Sequence, residues 1–254
     1  MKTTFFSLFL SASLAVSAAP FAPGDTNKID QSGRKQGFWK EVTGGFEWYG
    51  YYSNDQKNGS WVSFHSGTNP PQVSKSESWV NGKRNGLYTE TDRNGSLTLQ
   101  KSYKNDSLNG VTIEYSSGAR PKSETPYHSG KINGIKKLYN QENFKLQEEG
   151  LFVNNKREGL TRWYYVAGKV SIEYMYKDGN LEGPMKTYYE NGNISSQGTY
   201  VNNELEGDYA EFYEDGNPKS LGKYLKGKKE GIWKEYDENG KLKNQKYKND
   251  QSVR

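Results

Sequence analysis

Nine glycines, Gly37, Gly59, Gly86, Gly110, Gly134, Gly159, Gly183, Gly207 and Gly231, recur at intervals of 22, 27, 24, 24, 25, 24, 24 and 24 residues. So regular a period forces the chain into stacked copies of one small unit and argues against a single irregular core. Other residues keep fixed offsets from these anchors. An aromatic follows five residues later in Phe64, Tyr115, Tyr139, Tyr164, Tyr188, Phe212 and Tyr236. A second glycine follows nine later in Gly95, Gly168, Gly192, Gly216 and Gly240, and tyrosine seventeen later in Tyr103, Tyr127, Tyr176, Tyr200 and Tyr224.

Each offset has a physical reading. Asn191-Gly192, Asp215-Gly216 and Asn239-Gly240 supply the positive φ of tight hairpin turns. The segments after them alternate: Val170, Ile172, Tyr174 and Tyr176 share one parity, the signature of a half-buried strand. The anchor glycine is read as closing a second turn, as in Tyr176-KDGNLEG. The predicted fold is therefore all-β, an elongated array of β-hairpins in a twisted antiparallel meander. About eighteen strands at roughly 4.8 Å spacing predict a coiled sheet on the order of 85 Å long. Aromatic rows replace a conventional core, and Gly150, Gly198 and Gly222 are expected to leave room for neighbouring rings.

The position two after the anchor varies between copies. It holds Trp39, Trp61, Tyr88, Tyr209 and Trp233 at the ends of the array, but Thr112, Lys136, Thr161 and Met185 in the middle. Its parity is opposite to the aromatics at offset five. If those face the packed side, the five variable rings either cover backbone and glycine notches on the other side or form a contact surface there. Two copies are irregular: the second carries an insertion around Asn69-Pro70-Pro71, and the fifth has Asn143 where the turn glycine belongs.

The run Tyr-x-x-Gly-x-x-x-Gly, then an aromatic and Asn-Gly-Lys, resembles the MORN-repeat variant MORN_2 and its YwqK-type antitoxin family. Tyr176, Gly179, Gly183, Tyr188 and Gly192 carry the likeness, followed by Tyr200, Gly207, Phe212 and Gly216. Tyr224, Gly227, Gly231, Tyr236 and Gly240 repeat it once more. The resemblance covers about Asp30 to Asp250, and it implies a protein-binding or membrane-associated scaffold, with neutralisation of a toxin as the family's namesake role.

Residues 1–19 read as an export signal: Lys2, an apolar stretch from Phe5 to Val16, then Val16-Ser17-Ala18 with cleavage near Ala18-Ala19. Residues 20–29 read as a linker and 30–254 as the repeat domain. With no cysteine in the chain, a bacterial periplasm or the medium is the expected location. Net charge is +5, concentrated between Lys219 and Lys248, where ten lysines face four carboxylates after an acidic block from Glu204 to Asp215. Lys226, Lys228 and Lys229 are thus candidates for contact with an anionic membrane, a glycan or an acidic partner. Nucleic acid is not expected for an exported chain of this charge.

The residues point away from chemistry. His65 and His128 are the only histidines, lie in different copies and lack metal-ligand spacing; both are read as solvent-facing. Glu114, Glu211 and Glu235 recur at one repeat position, as surface residues do. No catalytic residue, metal or cofactor is expected. The reading is a scaffold that binds another macromolecule, a protein first, with its terminal edge open to self-association. Deleting residues 184–207, one period, is expected to leave a shorter folded chain with the same β-type circular dichroism spectrum. Global unfolding would show that the units are not quasi-independent.

Overall fold

The computed structural model describes residues 26–253; the export segment expected at 1–19 and residues 20–25 lie outside them. Among the described residues there are strands and turns but no helix. Eighteen strands of six to nine residues run from Lys35–Thr43 to Leu242–Lys248, each antiparallel to the next in sequence within one open sheet. The two-residue pieces Ser107–Leu108, Lys131–Ile132 and Glu204–Leu205 begin the strands that follow them. The sheet starts within the expected linker: Lys28–Ile29 pairs with Lys35 and Gln36. At the other end Gln251–Val253 closes on Leu242–Lys248.

The turns differ from expectation in kind. Two-residue turns with both residues at positive φ join strands at Asn54-Asp55, Asn81-Gly82, Asp178-Gly179, Asn202-Asn203 and Lys226-Gly227. Their twist matches that of the strands they connect. At Asn191-Gly192 only the glycine has positive φ (99°). Gly192 N–H donates to the Tyr189 carbonyl (2.9 Å) and Tyr189 N–H to the Asn193 carbonyl (2.8 Å), a three-residue loop of the bulged type. The fifth copy places Phe144, not Asn143, at positive φ (60°), and Phe64 and Val73 bracket the loop that holds the Asn69-Pro70-Pro71 insertion.

The anchor glycine closes no turn. Register jumps from Tyr176↔Leu181 to Tyr174↔Met185, so Gly183 sits inside a β-bulge with φ at 108°. A Cβ there would lie 3.2 Å from that of Met175. All nine anchors have positive φ, and each stands opposite an aromatic. The pairs are Gly37↔Tyr52, Gly59↔Trp79, Gly86↔Tyr103, Gly110↔Tyr127, Gly134↔Phe152, Gly159↔Tyr176, Gly183↔Tyr200, Gly207↔Tyr224 and Gly231↔Tyr247. Tyr52, Trp79, Phe152 and Tyr247 do not stand at offset seventeen, because turn lengths vary.

The two faces of the sheet are unlike. On the ring face, residues at offset two pack with these aromatics: Tyr52 lies edge-on to Trp39 (5.5 Å) and Trp61 (5.1 Å), and Tyr224 to Tyr209 (5.1 Å) and Trp233 (5.2 Å). Trp61 and Trp233 have no exposed surface, and Trp39 and Met185 are buried with them. Trp233 lies over Gly222 and Trp61 over Gly50, where an added Cβ would come within 2.2 and 2.3 Å of the indole. Tyr209 fills the notch at Gly198, whereas Gly150 faces Thr161 and Arg157 and no ring. The other face, here the open face, carries the offset-five aromatics half-buried. These therefore do not form the fully packed side. Tyr188, for example, pairs with Ile194 there.

Hydrogen bonds tie each unit to the next along both edges. In the two-residue turns that precede the next copy's strand the second N–H donates to the residue two before the preceding anchor, as in Asp55 to Lys35 (3.1 Å), Asn203 to Leu181 (3.0 Å), Gly227 to Leu205 (2.9 Å) and Asp250 to Lys229 (3.1 Å). On the far edge, Tyr189 Oη donates to the Phe212 carbonyl (2.8 Å) and Tyr213 Oη to that of Tyr236 (2.7 Å). Replacing Gly222 with Ala is expected to cost about 1–3 kcal/mol by overpacking against Trp233. In a denaturant double-mutant cycle, Trp233→Ala should remove most of that cost. Full additivity would show that the glycine notch does not seat the ring.

Candidate binding surface

The ring face consumes its own aromatics. The residue two before each anchor is basic in five copies (Lys35, Lys57, Arg84, Arg157 and Lys229) and aliphatic in four (Leu108, Ile132, Leu181 and Leu205). All stand beside the aromatic rows. Lys57 Nζ lies 3.9 Å from the Trp61 ring, Lys35 4.6 Å from both Trp39 and Tyr52, and Arg84 4.3 Å from Tyr103. Lys229 sits 4.1 Å from Trp233 and 5.1 Å from Tyr247. A cation over a ring thus replaces the aliphatic side chain of the other copies. The sequence shows this alternation at a fixed offset, and its meaning follows from the register.

This placement corrects the contact surface expected from the rings. Trp39, Trp61 and Trp233 are interior, and Tyr88 and Tyr209 half-buried among ring neighbours, because the anchor bulge turns offset two onto the packed face. The alternative expectation, rings covering glycine notches, describes Trp61, Tyr209 and Trp233. The three lysines separate as well: Lys229 packs on rings, whereas Lys226 and Lys228 are exposed at a turn. Lys226 N–H donates to Glu206 Oε2 (2.7 Å). His128 is exposed, but His65 is half-buried with Nε2 3.0 Å from the Thr91 carbonyl. It occupies the position that Tyr189 and Tyr213 hold in their copies, so it is structural rather than solvent-facing.

In the middle copies, where offset two lacks rings, a cavity of about 400 Å³ opens on the ring face between Glu114, Thr125, Tyr127 and Lys136. The open face of the same copies carries two continuous rows. One is apolar: Val111↔Pro126, Ile135↔Leu151 and Leu160↔Met175, ending at Pro184. Ile135 is 55% exposed and Val111 42%. Beside it runs a charge ladder, one residue per strand and alternating in sign: Glu124↔Lys137↔Glu149↔Arg162↔Glu173↔Lys186. Arg162 bridges Glu173 (2.9 Å) and Glu149 (3.8 Å). Tyr139, Tyr164 and Tyr188 donate to Glu124 (2.8 Å), Glu149 (2.7 Å) and Glu173 (2.8 Å). Burial and these carboxylates push the Tyr164 and Tyr188 hydroxyls up to about 12.

Toward the C-terminal end a cavity of about 580 Å³ opens, lined among others by Ala210, Leu221, Ile232, Lys186, Lys223 and Lys234. The ladder register places these six on the open face. Lys223 also meets Asp208 (3.3 Å). Among the described residues, no group of three or more His, Asp and Glu side chains is arranged to hold a metal.

Fold and surface together define an open, antiparallel β-repeat array. Residues 157–178, 181–202, 205–226 and 229–249 match the MORN repeat variant. Each matched segment begins two residues before an anchor glycine, at Arg157, Leu181, Leu205 and Lys229. No curated protein matches the chain. Among solved structures, a Staphylococcus aureus TarM mutant in complex with fondaparinux, α-GlcNAc-glycerol and UDP aligns with a TM-score of 0.24 at 10% identity, covering 48% of this chain and 21% of that one. A likeness so slight carries no functional meaning.

One carboxylate on the ring face gives a pH signature. Glu41 accepts from Lys35 (2.8 Å) and Tyr52 (2.7 Å) and lies 3.1 Å from Lys57. Burial opposes its ionisation, but these three partners outweigh it and hold the carboxyl at about 2 instead of 4.5. A depressed folded pKa stabilises above the unfolded value and is lost as pH falls through the folded one. Urea midpoints should therefore fall between pH 4.5 and 2 more steeply in the native chain than in Glu41→Gln. Equal slopes would show that this cluster contributes nothing.

Proposed function

We propose that this chain is an exported, non-catalytic β-repeat scaffold whose open face binds another protein. The cavity lined by apolar Ala210, Leu221 and Ile232 and by Lys186, Lys223 and Lys234, with one carboxylate, Asp208, paired to Lys223, carries the reading. Apolar side chains beside a net excess of lysines suit an apolar segment flanked by carboxylates. The non-catalytic part is supported by how polar groups are used: His65 holds a backbone carbonyl, and Glu41, Glu124, Glu149 and Glu173 are tied to lysine, arginine or tyrosine. Export is supported by the run from Lys2 to Ala19. A cognate toxin is the specific partner that the YwqK-type resemblance implies, and the repeat-variant match over 157–249 covers this same cavity.

The test is capture from an envelope extract by the immobilised mature chain, beside the variants Ile232→Glu and Lys234→Glu. Ile232 is 65% exposed, so neither change should disturb folding. One protein retained by the native chain and reduced at least about tenfold by each variant is expected, since each removes an interface anchor or rim charge. Capture indifferent to both variants would reject the cavity. Salt-sensitive binding to anionic vesicles, with no protein captured, would replace a protein partner by a membrane surface. A captured toxin would establish the antitoxin role.

A further inference from the structure

The middle of the array has a feature that partner binding at its C-terminal end touches only at the border, at Pro184 and Lys186. Copies anchored at Gly110, Gly134, Gly159 and Gly183 have lost the buried ring at offset two, holding Thr112, Lys136, Thr161 and Met185. The same copies carry aliphatic or proline residues at offset one, on the open face: Val111, Ile135, Leu160 and Pro184. Offset one is apolar in Phe38, Leu87 and Ile232 too, but Ser102 faces Leu87 and Lys246 faces Ile232, whereas from Val111 to Pro184 the strands between successive copies add Pro126, Leu151 and Met175 and make the row unbroken. Monomeric proteins rarely leave a continuous apolar row uncovered.

The charge ladder beside it says what covers it. Its six members alternate −, +, −, +, −, + from Glu124 to Lys186. An even, alternating row is complementary to its own reversal. Rotated by 180° about an axis parallel to the strands between Glu149 and Arg162, the row sets Glu149 against Arg162, Lys137 against Glu173 and Glu124 against Lys186. The same rotation keeps each row at its height along the strands, so the apolar row meets itself. Leu151 then faces Leu160, Ile135 faces Met175 and Pro126 faces Pro184. Rotation about the ladder's own direction sets every charge against its own copy and is disfavoured. We propose that the open face of the four middle repeats is a self-association surface, on which a second copy of this chain docks about a two-fold axis between Glu149 and Arg162.

The arrangement is isologous, each contact occurring twice. Lys137 and Arg162 side chains are 37% and 39% exposed, which leaves them free to take a second carboxylate across the interface. Aligned twisted sheets cross at about 30°, so contact is centred on the axis and weakens outward. Eight strands at about 4.8 Å and some 17 Å of strand length give on the order of 600 Å² per copy. That is below the roughly 800 Å² per partner of a standard interface, and dimerisation should be concentration-dependent. The inference goes beyond the proposed function: the two surfaces share only Pro184 and Lys186 at their border, Leu221, Ile232 and Lys234 lie outside the paired rows, and the test uses purified chain alone.

Sedimentation of the mature chain from micromolar to about millimolar concentration should show a reversible dimer, with Ile135→Glu weakening it at least about tenfold, the loss of a central apolar contact. A monomer throughout, or a dimer indifferent to Ile135→Glu with an unchanged circular dichroism spectrum, overturns the proposal. The absence of cysteine allows a geometric check. Ile135→Cys mixed with Met175→Cys should form a disulfide-linked dimer. Either alone should not, because like positions stand three strand spacings apart, about 14 Å, against about 7 Å for a disulfide. Cross-linking equal in mixed and unmixed samples overturns the two-fold register.

Discussion

The opposition of an anchor glycine and an aromatic ring sets the rest of the structure. At Gly183 the chain takes a φ of 108°, open to glycine at little cost, within a bulge that shifts the pairing by two residues. That shift decides which side chains meet Tyr200 across the glycine and which follow on each face. It also increases the local twist, so ring-face side chains from successive strands converge. A single sheet can then bury Trp61 and Trp233 completely without a second layer. Repeated at eight of the nine anchors, the same local event gives a core whose units interact with their neighbours alone.

The material of that core is unusual. Its buried hydrophobic residues are Trp39, Trp61, Met185 and Trp233, interleaved with buried Ser63, Ser74, Thr161, Ser196 and Ser220. Small hydroxyl side chains and glycines flank each large ring, so an indole finds a notch rather than a competitor. Cations finish the packing. Lys57 between Trp61 and Trp79, or Arg157 against Phe152, Trp163 and Tyr176, covers aromatic faces with its alkyl stem and places charge where the ring quadrupole favours it. Leu181 and Leu205 do the same covering without charge, which is why one position tolerates both chemistries.

The period, the strand content and the meander were legible because they depend on offsets along the chain. The faces were not. The alternation of Val170, Ile172, Tyr174 and Tyr176 is visible, but whether Trp233 shares a face with Tyr224 depends on a bulge at Gly231 that adds residues to one strand only. A glycine between strands reads equally as a turn or a bulge. The Asn191-Gly192 dipeptide misled in a related way, because a three-residue loop uses the positive φ of glycine alone. His65 looked like a loop residue since its acceptor, the Thr91 carbonyl, lies 26 residues away. The open-face ladder was hidden for the same reason: Glu149, Arg162 and Glu173 become neighbours through register, not spacing.

These placements locate where selectivity can reside. The residues that keep the period, anchors, rings and their cations, are engaged within the chain, and changing them alters stability before it alters binding. The open-face rows at offsets one and three vary between copies while the backbone beneath them stays the same. Their electrostatics divide the array. From Glu124 to Lys186 alternating charges cancel beyond about a Debye length, near 8 Å at physiological salt, so that region discriminates through contact and register. From Lys219 to Lys248 the lysine excess does not cancel, so its field reaches beyond contact distance and acts on encounter rate more than on affinity. On the two proposals above, the cationic end supplies long-range attraction toward the protein partner, and the middle rows supply contact and register for a second copy.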